Sequence, residues 1–178
     1  MIETKLINLF AGPGGGKTTV ATGIFHWMKE ERMNVEYAPE YAKDIVWDET
    51  FNLLDDQLSV FCQQHRRFYR LYKSVEYIIT DSPLLLSLVY GKNAMKKYDD
   101  TWKDSFHRLV RDFHYQYANY NYFVERGDRK YIQEGRTQDY ESAKEKDLEI
   151  KNMLTVNKIN YKSVVSYEDV LRDLTLIG

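Results

Sequence analysis

Several features that would place a chain outside the cytoplasm are missing here. One cysteine, Cys62, in 178 residues excludes an internal disulfide and suits a reducing compartment. No apolar run approaches the ~18 residues of a membrane-spanning helix. A strand-like pattern begins within the first residues, which argues against a signal peptide. Charge of one sign is not in excess: the formal net charge is −2, so no global basic field draws the chain to nucleic acid. Only three prolines are present, with no proline-rich linker, repeat or low-complexity tract to divide the chain, so one domain over residues 1–178 is expected. The four histidines have no metal-ligand spacing with Cys62, and no structural metal is expected.

What is abundant is aromatic and phosphate-binding chemistry. Fifteen tyrosines are present, and the group Tyr115, Tyr117, Tyr120 and Tyr122 is read as core and surface packing. The stretch from Ala11 through Gly12, Pro13, Gly14, Gly15 and Gly16 to Lys17, Thr18 and Thr19 follows an apolar strand pattern and precedes a helical one. This is a P-loop. Glycines let successive backbone N–H groups turn inward around a phosphate, and the helix N-terminus adds free donors and a favourable dipole. Lys17 can reach the β- and γ-phosphates, and the Thr18 hydroxyl can hold Mg²⁺. Gly12, Gly14, Gly15, Gly16, Lys17, Thr18 and Thr19 are therefore the expected nucleotide-binding residues. The usual pattern is Gly-x4-Gly-Lys-Ser/Thr, and here Ala11 stands in the first glycine's place.

Strand and helix patterns alternate along the chain. Strands are expected over residues 4–10, 34–38, 77–81, 121–124 and 161–165. Helices are expected over 17–30, 48–72, 84–90, 101–117, 139–154 and 167–174. In the 48–72 region, Leu54, Leu58, Phe61, Phe68 and Tyr72 recur at helical spacing and are read as its buried face. This alternation predicts an α/β fold, a P-loop NTPase of three layers, α/β/α, around a five-stranded parallel sheet. In such sheets the ligand lies beyond the carboxyl ends of the strands.

Each strand end carries a candidate. Glu40 follows strand 2, where a carboxylate can take the proton of an acceptor hydroxyl; Asp44 is its rival. Asp81 ends the buried strand 3 in the Walker-B position and is read with Thr18 as a Mg²⁺ ligand. Arg126, Arg129 and Arg136 lie between strand 4 and the next helix, a segment of about 126–138 read as a short lid whose arginines meet phosphate charge. Lys17, Glu40, Asp81, Arg126, Arg129 and Arg136 make up the catalytic set. Tyr41, Asp44, Gln57, Gln64 and Arg67 are the candidates for holding the acceptor, through amide hydrogen bonds, charge and stacking. A solvated helix face is the plainer account of each of those five taken alone.

With these residues placed, the chain resembles small P-loop kinases, above all the nicotinamide riboside kinase type of domain and related bacteriophage P-loop kinases. The likeness is carried by Gly12 to Thr19, by Pro39, Glu40, Tyr41, Ala42 and Lys43, by Asp56, Gln57, Gln63 and Gln64, by Thr80, Asp81 and Ser82, and by Gly135 to Gln138. The resemblance implies ATP and Mg²⁺ as cofactors, transfer to a hydroxyl, and Glu40 as the base. It departs where Asp81 is followed by Ser82 and Pro83 rather than by a second acid or an arginine. The expected acceptor is nucleoside-like: a free nucleoside or nucleotide, or a hydroxymethylated pyrimidine such as 5-hydroxymethyluracil in phage DNA. In the DNA case Lys92, Lys96, Lys97, Arg108, Arg111, Arg126, Arg129 and Lys130 would share one face next to the lid. The competing function is a nucleotide-dependent ATPase or switch acting through a partner, which the lack of an effector segment or an NKxD guanine motif disfavours. The expected setting is cytoplasmic, the host cytoplasm for a phage-encoded chain, with no membrane partner; the sequence does not specify an oligomeric state.

Overall fold

The computed structural model describes residues 2–127 and 140–177. Arg129, Arg136 and nearly all of the expected lid lie outside the described residues. Five strands form one parallel sheet: β1 (Lys5–Phe10), β2 (Val35–Ala38), β3 (Tyr77–Thr80), β4 (Ala118–Val124) and β5 (Lys162–Val164), in the order β2-β3-β1-β4-β5. Seven helices accompany them among the described residues: α1 (Lys17–Glu30), α2 (Tyr41–Trp47), α3 (Gln57–Tyr69), α4 (Ser87–Tyr90), α5 (Asp100–His114), α6 (Tyr140–Val156) and α7 (Tyr167–Asp173). None is long and apolar enough to cross a membrane.

The three layers follow from strand periodicity. Side chains alternate between the two faces of a strand. On β1, Leu6 and Phe10 enter one core with Ile78 of β3, Phe123 of β4, Phe61 and Phe68 of α3, and Phe106 of α5. Ile7 and Leu9 enter the other with Ile79, Tyr122, Val20 and Ile24 of α1, and Val170 of α7. With helices on both faces, β1 and β3 are buried throughout, apart from the partly exposed Lys5. Fully burying a Leu, Ile or Phe side chain contributes roughly 1.5–3 kcal/mol. Tyr117 and Tyr122 belong to the core, whereas Tyr115 is exposed.

The chain leaves β1 toward β2 and leaves β3 toward β4, on opposite sides of the β1–β3 pair. Their carboxyl ends therefore diverge into a crevice. In register, Asn8 pairs with Thr80 and Ala38 with Thr80, so the residues following β1, β2 and β3 emerge at one edge of the sheet.

The region expected as one helix over 48–72 is different. α2 comes first, a 3-10 turn covers Phe51–Asp55, and α3 begins only at Gln57. Asp48 ends α2, Glu49 takes a positive φ of 56°, and Asp56 caps α3 by accepting from the Ser59 N–H at 3.1 Å. The expected buried stripe is also corrected. Leu58 is exposed, and the buried face of α3 is Gln57, Phe61, Gln64 and Phe68. Those four are spaced 4, 3 and 4, so the two glutamines, not Leu54 and Leu58, complete the helical face that Phe61 and Phe68 define.

Candidate functional site

The P-loop spans the turn from β1 into α1. Gly16 caps α1 with φ 93°, a left-handed conformation that a residue with a Cβ adopts only under strain. Ala11 is fully buried, and a Cβ built on Gly15 would lie 2.6 Å from its Cβ, so the alanine here is accommodated by the glycine opposite. Lys17 folds back on the loop, donating from Nζ to Ala11 O at 2.8 Å and to Gly12 O at 3.2 Å. Burial holds its ammonium below the usual lysine range, against the opposing pull of Glu40 and Asp81.

Thr18 and Asp81 meet across the β1–β3 crevice. The Thr18 hydroxyl donates to Asp81 Oδ2 at 2.6 Å. Asp81 is 1% exposed, and its other oxygen, Oδ1, is buried with no hydrogen-bond partner among the described residues. A buried carboxylate oxygen without a donor is costly unless something charged fills the gap. A hydroxyl and a carboxylate are oxygen donors suited to Mg²⁺, so this pair fits a nucleotide-borne Mg²⁺ ion. That ion would supply charge neutralisation on the phosphates when bound. Among the described residues no group of three or more His, Cys, Asp or Glu could hold a metal, so the oxygen donors at this point are the Thr18 hydroxyl and the Asp81 carboxylate.

Glu40 stands at the N-cap of α2 and is partly buried. Burial raises its carboxyl above the ordinary value; Lys17 opposes this and Asp81 adds to it. Tyr37, at the end of β2, also faces this group: burial raises its hydroxyl pKa, and Asp81 and Glu40 raise it further. Lys17, Glu40 and Asp81 thus form one electrostatic cluster at the ends of three strands.

The other expected site residues fall into two groups. Around the β2–α2 turn, Gln64 accepts from the Tyr41 N–H at 2.8 Å and donates to Pro39 O at 3.2 Å. Arg67 donates to Pro39 O at 3.3 Å, pairs with Asp44, and lies over the Tyr41 ring. Tyr41, Asp44, Gln64 and Arg67 are therefore together, but as a bracket that fixes the backbone beside Glu40. Gln57 is apart, donating to Leu54 O. In this structure the Gln57 and Gln64 amides serve backbone groups and so hold the site's frame.

Arg126 also differs from a free lid arginine. Its guanidinium pairs with Asp147 of α6 and donates to Pro13 O at 2.9 Å and Ala143 O at 2.8 Å. The other Asp147 oxygen accepts from the Gly12 N–H. Arg126 in this structure braces the P-loop against α6. Asp147 lies in a charged helix, and no local pattern in the sequence sets it apart from its neighbours. Lys43 and Tyr37 were also missed as site residues, although Lys43 lies in the Pro39–Lys43 segment already singled out.

This brace explains Gly12. A Cβ there would meet Ala143 O at 2.6 Å, Asp147 Oδ1 at 2.9 Å and Arg126 Nη2 at 3.0 Å. A backbone carbonyl cannot yield as a flexible side chain can. Gly12→Ala is expected to cost about 1–3 kcal/mol and to weaken ATP binding. Denaturant unfolding and nucleotide titration check this; unchanged stability would show the contact to be slack.

A family model described as an AAA domain matches residues 6–169, nearly the whole chain, P-loop included. The chain belongs to this AAA domain family. A search of curated proteins finds no match to it. Among solved structures, this AAA domain is similar to a NadR protein in complex with NR, at 16% identity and a TM-score of 0.72 over 96% of the chain. It spans only half the length of that NadR chain. It is also similar to deoxyadenosine kinase from M. mycoides with bound dATP, at 16% identity and a TM-score of 0.60, covering 96% of this chain and 99% of that one. These likenesses establish a P-loop kinase-like α/β fold for the AAA domain.

Proposed function

We propose that this chain is an ATP-dependent kinase that transfers the γ-phosphate to a hydroxyl of a nucleoside-like acceptor. The observation that carries this reading is the placement of Glu40 in the same electrostatic cluster as Lys17 and Asp81. A P-loop alone accounts for nucleotide binding. A partly buried carboxylate within the electrostatic reach of its lysine provides a place for the proton of a second substrate.

In this reading the P-loop backbone and Lys17 bind the phosphates, and Thr18 and Asp81 hold Mg²⁺. The acceptor oxygen forms a bond to the γ-phosphorus, the bond to the β–γ bridging oxygen breaks, ADP leaves, and the hydroxyl proton passes to Glu40. Glu40 is preferred to Asp44 because Asp44 is paired with Arg67 and part of the turn bracket. A free nucleoside or nucleotide is preferred to a hydroxymethylated pyrimidine in DNA, since the net charge of −2 offers no broad attraction to polyanion. An exposed free thiol at Cys62 suits the reducing cytoplasm.

Glu40→Gln tests this. Acceptor-dependent turnover is expected to fall by about 10²–10⁴-fold with ATP affinity nearly unchanged. Equal loss of both would make Glu40 a structural residue. The pH profile adds a sign. Glu40 accepts a proton only when ionised, and its carboxyl titrates above 4.5, so the acidic limb of kcat/KM lies above the ordinary glutamate range and disappears in Glu40→Gln. The folded state holds this proton more tightly than the unfolded state. Glu40 therefore lowers stability as pH rises from 4.5 through its raised value, and Glu40→Gln flattens that slope.

A further inference from the structure

A third side chain engages the Thr18–Asp81 pair. Lys43 of α2 donates from Nζ to Thr18 Oγ1 at 3.1 Å, and the same ammonium lies 3.6 Å from Asp81 Oδ2. Thr18 donates to that same carboxylate oxygen. Lys43, Thr18 and Asp81 thus close a triangle on the two side chains whose chemistry suits a divalent cation. A carboxylate as deeply buried as Asp81 needs positive charge nearby. Among the described residues, Lys43 is the one cation within salt-bridge reach of it. Lys17 is committed to the carbonyls of Ala11 and Gly12.

We propose that Lys43 occupies the metal position in the metal-free protein and must leave it when a divalent cation binds Thr18 and Asp81. The inference rests on the reading of those two residues as the metal-holding pair. An ammonium and a divalent cation repel each other and compete for the same oxygens, so metal affinity includes the cost of displacing Lys43. The exchange is sterically easy. The Lys43 side chain is 49% exposed and sits on a flexible four-carbon stem, so it can swing out with the α2 backbone fixed. In the metal-free protein its ammonium lies within the electrostatic reach of both Glu40 and Lys17, so once displaced it is near enough to serve as a positioning donor for the phosphates that arrive with the metal. Lys43 thereby couples metal entry to phosphate binding, and it shields Asp81 from unpaired burial in between.

The test uses Mn²⁺ alone, without nucleotide, titrated by electron paramagnetic resonance into the full chain, with thermal melts in chelator run beside it. Lys43→Met is expected to bind Mn²⁺ about tenfold more tightly than the native chain. It is also expected to melt lower in chelator and to regain the difference when Mn²⁺ is added. Lys43→Arg, which keeps the charge, should retain native Mn²⁺ affinity and guards against a packing effect of the methionine. Asp81→Asn should abolish the binding. Unchanged or weaker Mn²⁺ binding in Lys43→Met, with binding still lost in Asp81→Asn, overturns the role of Lys43 and leaves the metal pair standing. Native binding in Asp81→Asn overturns both.

Discussion

If the chain is the proposed kinase, Lys17→Ala is expected to lower its turnover by about a thousandfold or more. In the structure the Lys17 ammonium is drawn onto the Ala11 and Gly12 carbonyls of its own loop. It is desolvated there, which makes it less basic but leaves it poised to exchange loop oxygens for phosphate oxygens. Negative charge spreads over the transferring group in the transition state, and a fixed donor in a dry site acts on it far more strongly than one in water. Removing a single preorganised donor from such a site commonly costs ~10²–10³ in turnover, and a full charge costs more. The stability of the protein should change little, because removing a desolvated ammonium offsets the loss of its two bonds to the Ala11 and Gly12 carbonyls. Steady-state turnover and thermal melting, measured together, check the result. A variant that keeps native turnover would remove the P-loop lysine from the chemistry.

Asp81→Asn is the second large effect, and it separates activity from stability. Asp81 is 1% exposed and its Oδ1 has no partner among the described residues, so the folded protein tolerates an expensive group. Asparagine keeps the shape and an acceptor for the Thr18 hydroxyl but removes the charge that a cation needs. Turnover should fall by about a hundredfold or more, while stability in chelator shifts by less than ~1 kcal/mol because the cost of burying charge disappears with it. A large loss of stability with modest loss of turnover would instead make Asp81 a structural anchor for Thr18.

The parts of this site that the sequence displays are those in which one short stretch carries the whole physical requirement. The P-loop needs a strand, a glycine turn, a Lys-Thr pair and a helix in immediate succession, and all lie between Lys5 and Glu30. Strand β3 is an apolar run closed by an acid, and both its burial and its position beside β1 are as expected. Strand β4 is legible only in part: its first residues, Ala118 to Tyr120, are half-buried and polar enough to hide the strand pattern. The stretch between β2 and β3 misleads more. Its leucines suggest one long amphipathic helix, but Asp56 is a cap rather than a surface acid, and the chain restarts there. Gln57 and Gln64 look like recognition residues because glutamines usually face water. Here they lie on the buried side of α3, and their amides satisfy the carbonyls and N–H groups of a turn. The Arg126–Asp147–Gly12 brace joins residues more than a hundred positions apart in sequence. Contacts of that kind depend on the order of strands in the sheet, which no local periodicity encodes.

In the proposed reaction the P-loop donates phosphate to a second substrate whose hydroxyl meets Glu40. The most direct measurement incubates the protein with Mg²⁺ and γ-labelled ATP and offers free nucleosides, nucleotides, nicotinamide riboside and 5-hydroxymethyluracil-containing DNA in parallel. Label is expected on a nucleoside-like acceptor, lost in Lys17→Ala and Glu40→Gln. Steady ATP hydrolysis that no acceptor stimulates, with label found only in inorganic phosphate, would contradict it.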